Sequence, residues 1–162
     1  MFAGENGLIL PSYAKGRVQL TIHDNKTSSL HTMANPEEEL QHIISYDSKG
    51  NSLEGGKKYR LHLPSKIPAS DFWSIIVYDP LSRLMIRTSQ SWPSVFSNKK
   101  NLIYNPDGSV DAWFGPESEE GKCNNWIKTI PGEKWYMILR LYYPLDSWFS
   151  KGWLPGEIEE II

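Results

Sequence analysis

Cysteine is all but missing: Cys123 stands alone in 162 residues, so no disulfide can staple the chain to itself. That single thiol does not settle a compartment. Long apolar runs are missing too, for none approaches the roughly 18 residues a membrane helix requires. The densest stretches, Trp73 to Tyr78 and Trp135 to Tyr143, are interrupted by Ser74 and Arg140. Neither sign of charge is in excess. Seventeen Lys and Arg against nineteen Asp and Glu leave a formal net charge of -2, and the cations cluster only as pairs such as Lys57-Lys58 and Lys99-Lys100. Such pairs read as solvated turns, and without a clustered basic face there is little counterion release from phosphates, which argues against nucleic acid as a partner. The start of the chain meets Glu5 at once, lacks a basic leader and offers only Leu8, Ile9 and Leu10 as an apolar core. No secretory signal and no membrane segment is read there; either the chain works inside the cell or a leader has been removed.

The usual chemical signatures are also absent. His23, His31, His42 and His62 have neither the two-apart spacing of ligands on a strand nor the three- or four-apart spacing of ligands on a helix, so no metal is expected. There is no GxSxG elbow, and Cys123 lies in Gly121-Lys122-Cys123-Asn124-Asn125 without a local histidine, which reads as a bystander thiol. Gly4 and Gly55-Gly56 lack the spacing of a phosphate or dinucleotide loop, so no cofactor is expected either. Two groups of acids, Glu117, Glu119, Glu120 and Glu157, Glu159, Glu160, read as solvated charge; a glycosidase pair would have to assemble across the fold. Asn25-Lys26-Thr27 matches a glycosylation sequon, a triplet common by chance.

What is present is an all-β pattern. A chain of this length buries about 70% of its unfolded surface, enough for one core. Turn signals recur every eight to twelve residues or so, between segments rich in β-branched and aromatic side chains. Strands are expected at Arg17 to Ile22, His42 to Tyr46, Lys58 to Leu63, Phe72 to Tyr78, Leu84 to Arg87, Ser109 to Phe114, Asn125 to Ile130, Trp135 to Tyr142 and Glu157 to Ile161. Asp24 to Ser29 reads as a loop. Asn35-Pro36 followed by three glutamates reads as a helix cap and one short helical turn, and Pro144 to Phe149 as another amphipathic turn. Asn105-Pro106-Asp107-Gly108 and Pro131-Gly132 are expected to close hairpins. Along Trp135 to Tyr142, one face collects Trp135, Met137, Leu139 and Leu141 and belongs in the core, while Phe72 to Asp79 is apolar on both faces and belongs in the middle of a sheet. No repeat or linker divides the chain.

Aromatics are the most informative excess, with seven Trp, eight Tyr and five Phe. Trp92, Trp113, Trp126 and Trp153 stand next to polar or turn residues, where an exposed indole can carry a sugar ring or another planar group; each is otherwise a core aromatic. Arg140, in the middle of an apolar strand, must be paired or line a polar cavity. Either it bridges to an acid such as Asp79 or Asp111, or it clamps an anion. The candidate ligand-binding set is Trp92, Trp113, Trp126 and Arg140, with no catalytic residues.

The order of motifs carries a resemblance. Ser70-Asp71-Phe72-Trp73-Ser74 with Tyr78-Asp79, Asn105-Pro106-Asp107-Gly108-Ser109 with Trp113-Phe114-Gly115-Pro116, Asn125-Trp126, Pro131-Gly132, Leu139-Arg140-Leu141-Tyr142 with Pro144, and Trp153-Leu154-Pro155-Gly156-Glu157-Ile158 resemble the domain-of-unknown-function 1214 family. With Asp47 to Gly55 and Tyr59 to Pro64 the likeness spans about Ala34 to Ile162 and leaves Met1 to Met33 unmatched. It implies a jelly-roll-type β-sandwich that usually sits behind a second domain of unknown function, numbered 1254, of which this chain shows no sign; it supplies no catalytic residues.

The expectation is therefore an N-terminal extension at 1–34, partly strand and loop, and one two-sheet antiparallel domain of jelly-roll type at 35–162 with one or two helical turns. Its expected role is a non-catalytic binding or assembly module for a glycan, a polar small molecule or a partner domain. The alternatives are a carboxylate-dependent hydrolase and an oligomer-forming structural jelly roll.

Overall fold

The computed structural model describes residues 39–162 in full and, within 1–38, the backbone of strands at 2–3, 9–10, 17–23 and 27–35. In chain order the strands are β1 (Phe2–Ala3), β2 (Ile9–Leu10), β3 (Arg17–His23), β4 (Thr27–Asn35), β5 (Glu39–Ile44), β6 (Lys58–Leu63), β7 (Ala69–Tyr78), β8 (Ser94–Phe96), β9 (Val110–Gly115), β10 (Trp126–Lys128), β11 (Tyr136–Pro144) and β12 (Ile158–Ile161). One four-stranded sheet runs β12-β6-β9-β10. The other runs β5-β11-β7-β8 and is extended beyond β5 by β4 and β3, while β1 and β2 make a separate ribbon. Pairing is antiparallel except between β9 and β10, which run parallel. The chain is thus mostly β with two principal sheets, as expected from its turn spacing.

The sheets pack because their alternate residues are apolar. Tyr59, Leu61 and Leu63 on β6, Val110, Ala112 and Phe114 on β9, Ile127 on β10 and Ile158 on β12 point inward and are buried. They meet Leu40 and Ile44 on β5, Trp73, Ile75 and Val77 on β7 and Met137, Leu139 and Leu141 on β11. Each large aliphatic or aromatic side chain so buried contributes about 1.5–3 kcal/mol. Trp135 closes one end of this core, stacked on Phe114 at 4.7 Å and meeting Tyr59 edge-on at 5.6 Å. The face expected to be buried on Trp135 to Tyr142 is the buried one, and β7 lies inside its sheet between β11 and β8.

Several expectations need correction. Leu84 to Arg87 is no strand: Asp79 accepts from the Leu81 amide at 2.8 Å and the chain folds back on the end of β7, leaving only one bridge, Tyr78 to Met85. Pro131-Gly132 does form a turn, with Gly132 at φ 82 and the Glu133 amide donating to the Ile130 carbonyl at 3.1 Å. It is not a hairpin, because β10 and β11 belong to different sheets. The Asn105 turn also forms, with Gly108 at φ 85, but irregular chain rather than a strand precedes it. Asn35 ends β4 and pairs with Glu39 instead of capping a helix; the helical turn expected after it falls on 36–38, outside the described residues. Thr27 to Ser29, expected in a loop, belongs to β4, and 24–26 lie outside the described residues. The short strand β8 had no signal, whereas the turn expected near Pro144 is the helix α1 (Asp146–Phe149).

Candidate functional site

Strand alternation sends every second residue of the four-stranded sheet to its outer surface. On β9 these are Asp111, Trp113 and Gly115, on β6 Lys58, Arg60 and His62, on β10 Trp126 and Lys128. The register then lines up Trp126 with Trp113, Trp113 with Arg60, and Arg60 with Glu159, one row across all four strands. The two tryptophans are therefore neighbours on one surface, both part-exposed.

Each member of the row is held. The Trp126 indole N–H donates to the Gly115 carbonyl at 3.1 Å, and Gly115 leaves the adjoining outer position without a side chain, so the Lys58 stem passes close over it. The Lys122 ammonium sits 3.8 Å from the centre of the Trp113 ring, a cation–π contact. Glu119 binds Lys122, and at 3.2 Å also Lys58. Hydrogen bonds from Lys122, then from Lys58, hold the Glu119 carboxyl below its ordinary range. Arg60 Nη2 meets Glu159 Oε2 at 2.9 Å. Along the free edge of β10, the Gln90 side chain imitates a strand: its amide N–H donates to the Trp126 carbonyl at 3.1 Å and its oxygen accepts from the Lys128 amide at 2.8 Å. Ser89 of the same loop lies 3.2 Å from the Lys128 ammonium.

One row further along, His62 Nδ1 lies 2.7 Å from Asp111 Oδ1, and Asn105 donates to the other Asp111 oxygen at 3.0 Å. The next turn residue is tied in as well, since Ser109 donates its hydroxyl and amide to Asp107, lowering the Asp107 carboxyl from its ordinary range. Spacing within single elements could not reveal the His62–Asp111 pair, whose members are 49 positions apart and meet only through the β6–β9 register. Among the described residues no three of His, Cys, Asp and Glu gather as a metal site.

The other candidates lie elsewhere. Arg140 is on the outer face of the second sheet, where its Nη2 donates to the Tyr78 hydroxyl at 3.0 Å and its Nε lies 3.7 Å from Glu39. The acid beside it is thus Glu39, not Asp79 or Asp111: Asp79 is engaged in its own turn and Asp111 with His62. Trp92 is 65% exposed on the loop between β7 and β8. Trp153, which its neighbouring turn left open between an exposed indole and a core aromatic, is a core aromatic and donates its indole N–H to the Pro64 carbonyl at 3.1 Å. So the structure joins Trp113 and Trp126 and separates them from Arg140.

These features define a two-sheet β domain with an aromatic, charge-flanked outer surface. The chain belongs to the family described as a protein of unknown function (DUF1214), whose model matches residues 38–146. No curated protein matches it. Among solved structures it is similar to the VPA0106 protein from Vibrio parahaemolyticus, at 23% identity and a TM-score of 0.67 over 78% of this chain and 31% of that one. An uncharacterised protein from Burkholderia cenocepacia also matches, at 18% identity and a TM-score of 0.47, over 78% of this chain and 30% of that one. The chain thus spans under a third of the length of either solved relative. The Vibrio likeness shows the fold. No helix among the described residues is long and apolar enough to cross a membrane.

Proposed function

We propose that this domain is a non-catalytic binding module and that its ligand, a glycan or other polar small molecule, lies on the outer surface of the four-stranded sheet. The observation that carries the reading is the placement of Trp113 and Trp126 side by side in register on that surface, with Arg60 and Lys128 as the charged side chains beside them and Lys122 resting on the Trp113 ring that a ligand would take. Indole faces give apolar area and ring complementarity, and a rim of charged side chains supplies hydrogen bonds to hydroxyls. Strands hold these groups more firmly than loops do, and the Gln90 clamp fixes the edge strand that bears Trp126. We take the frequent crossing of the chain between sheets as jelly-roll-type winding; the segment 116–125 that joins the parallel strands β9 and β10 brings Glu119 and Lys122 onto one part of this surface. Titration with a panel of oligosaccharides tests the reading: Trp126→Ala and Trp113→Ala should each weaken binding at least tenfold, and variants that bind every tested sugar as the parent does would remove it.

A second reading, an assembly role beside a partner domain, is favoured by the short share of the solved relative that the chain spans. In this reading the partner is the second domain of unknown function numbered 1254, and exposed Tyr143, Leu145, Phe149 and Leu154 around α1 are the surface it covers. The hydrolase alternative has less support. Glu119 is held ionised by two lysines and so is not kept protonated as a general acid, and the Glu159 carboxylate is engaged by Arg60.

A further inference from the structure

We infer that the ligand of the Trp113–Trp126 surface carries a carboxylate and that Lys128 receives it, the class being an acidic sugar of the hexuronate kind. This rests on reading that surface as a glycan site. Four basic side chains, Lys58, Arg60, Lys122 and Lys128, stand on it. Lys58 and Lys122 share Glu119, and Arg60 holds Glu159, but Lys128 has only the Ser89 hydroxyl for a partner among the described residues. The third carboxylate there, Asp111, is occupied by His62 and Asn105. Lys128 is thus the one of these four side chains with no carboxylate partner among the described residues, and it stands beside Trp126.

The placement matches an acidic pyranose. Trp126 and Lys128 are two apart on β10 and share its outer face, so their Cα atoms are about 7 Å apart along the strand. A ring stacked on the indole places an exocyclic carboxylate within reach of the lysine side chain. The indole N–H is already given to the Gly115 carbonyl, so Trp126 offers its face and edge carbons rather than a donor. Polar selection must therefore come from beside it, and Lys128 with Ser89 presents an ammonium and a hydroxyl, both donors suited to a carboxylate. The backbone under Lys128 is fixed by Gln90, which limits the ordering lost on binding.

The test is calorimetric titration of the whole chain with short oligomers of galacturonate and of glucuronate and with their methyl esters, which keep the ring and remove the charge. The acid should bind at least about tenfold more tightly than its ester, the typical effect of one charge-assisted contact, and added salt should erode the difference. Lys128→Met and Lys128→Gln should abolish the preference for the acid over its ester, and Trp126→Ala should weaken the binding of both. Equal binding of acid and ester, or a preference that survives in both Lys128 variants, overturns the carboxylate assignment and leaves the glycan reading standing. No binding of any oligomer, together with none in the neutral panel, removes both.

Discussion

The Lys122 ammonium covers the Trp113 ring at 3.8 Å from its centre, and Glu119 is what keeps it there, gripping Lys122 and Lys58 together. The Glu119 carboxyl is held below its ordinary value of 4.5 by those hydrogen bonds, so the clamp is fully present above pH 4.5 and is lost as the pH falls below that, through the lowered value of the folded protein. Tryptophan emission should therefore change on acidification below pH 4.5, and Glu119→Gln should abolish that change while showing the low-pH spectrum at neutrality. An identical acid transition in Glu119→Gln would assign it to another group.

Lys122 also competes for the ring on which a ligand would stack. Lys122→Met should raise the affinity for a stacking sugar by about two- to fivefold, because displacing a cation–π contact of about 0.5–1 kcal/mol no longer opposes binding. Titration of the variant beside the parent measures this; weaker binding would mean that Lys122 contacts the ligand itself.

Arg140 is stabilised by a phenol rather than by a close carboxylate. Burial raises the Tyr78 hydroxyl above its ordinary ionisation range, so it stays protonated and neutral at physiological pH and can accept from the guanidinium. Tyr78→Phe should cost about 1–3 kcal/mol, the range for losing a hydrogen bond to a charged, part-buried group. Urea unfolding reads the loss, and an unchanged midpoint would show that solvent replaces the phenol.

Two glycines separate steric from conformational demand. A Cβ on Gly55 would lie 2.0 Å from the Ile130 carbonyl oxygen, whereas one on Gly121 meets nothing within 4 Å but sits at φ +77. Gly55→Ala should lose about 3 kcal/mol or more, since backbone must move, and Gly121→Ala only about 1 kcal/mol. Comparable losses in the two would contradict the close approach of Gly55 to Ile130.

Much of this architecture is legible in local pattern and little of the site is. The strand Lys58–Leu63 has the limits its alternation sets, and the inward face of Trp135 to Tyr142 follows from period two alone. Leu84 to Arg87 misleads because its apolar residues are the tip of a turn organised by the Asp79 carboxylate, where Leu84 is 64% exposed. Ser94–Phe96 is too short to show a period. The partners of Arg140, of His62 and of Trp113 are all set by register between strands far apart in the chain, information that one strand's own residues do not hold. Trp153 shows the converse, since a turn next to an aromatic signals exposure only when the turn stays at the surface, and here Gly156 donates its amide to the His62 carbonyl and draws the segment inward.

The most direct measurement is a nitrogen–proton NMR titration following the seven indole N–H signals as an acidic oligosaccharide is added. The expected result is that the Trp113 and Trp126 signals shift together and saturate, while those of buried Trp73, Trp135 and Trp153 stay in place. Shifts confined to Trp92 or to the Arg140 side of the molecule, with Trp113 and Trp126 unmoved, would contradict the placement of the binding surface on the four-stranded sheet.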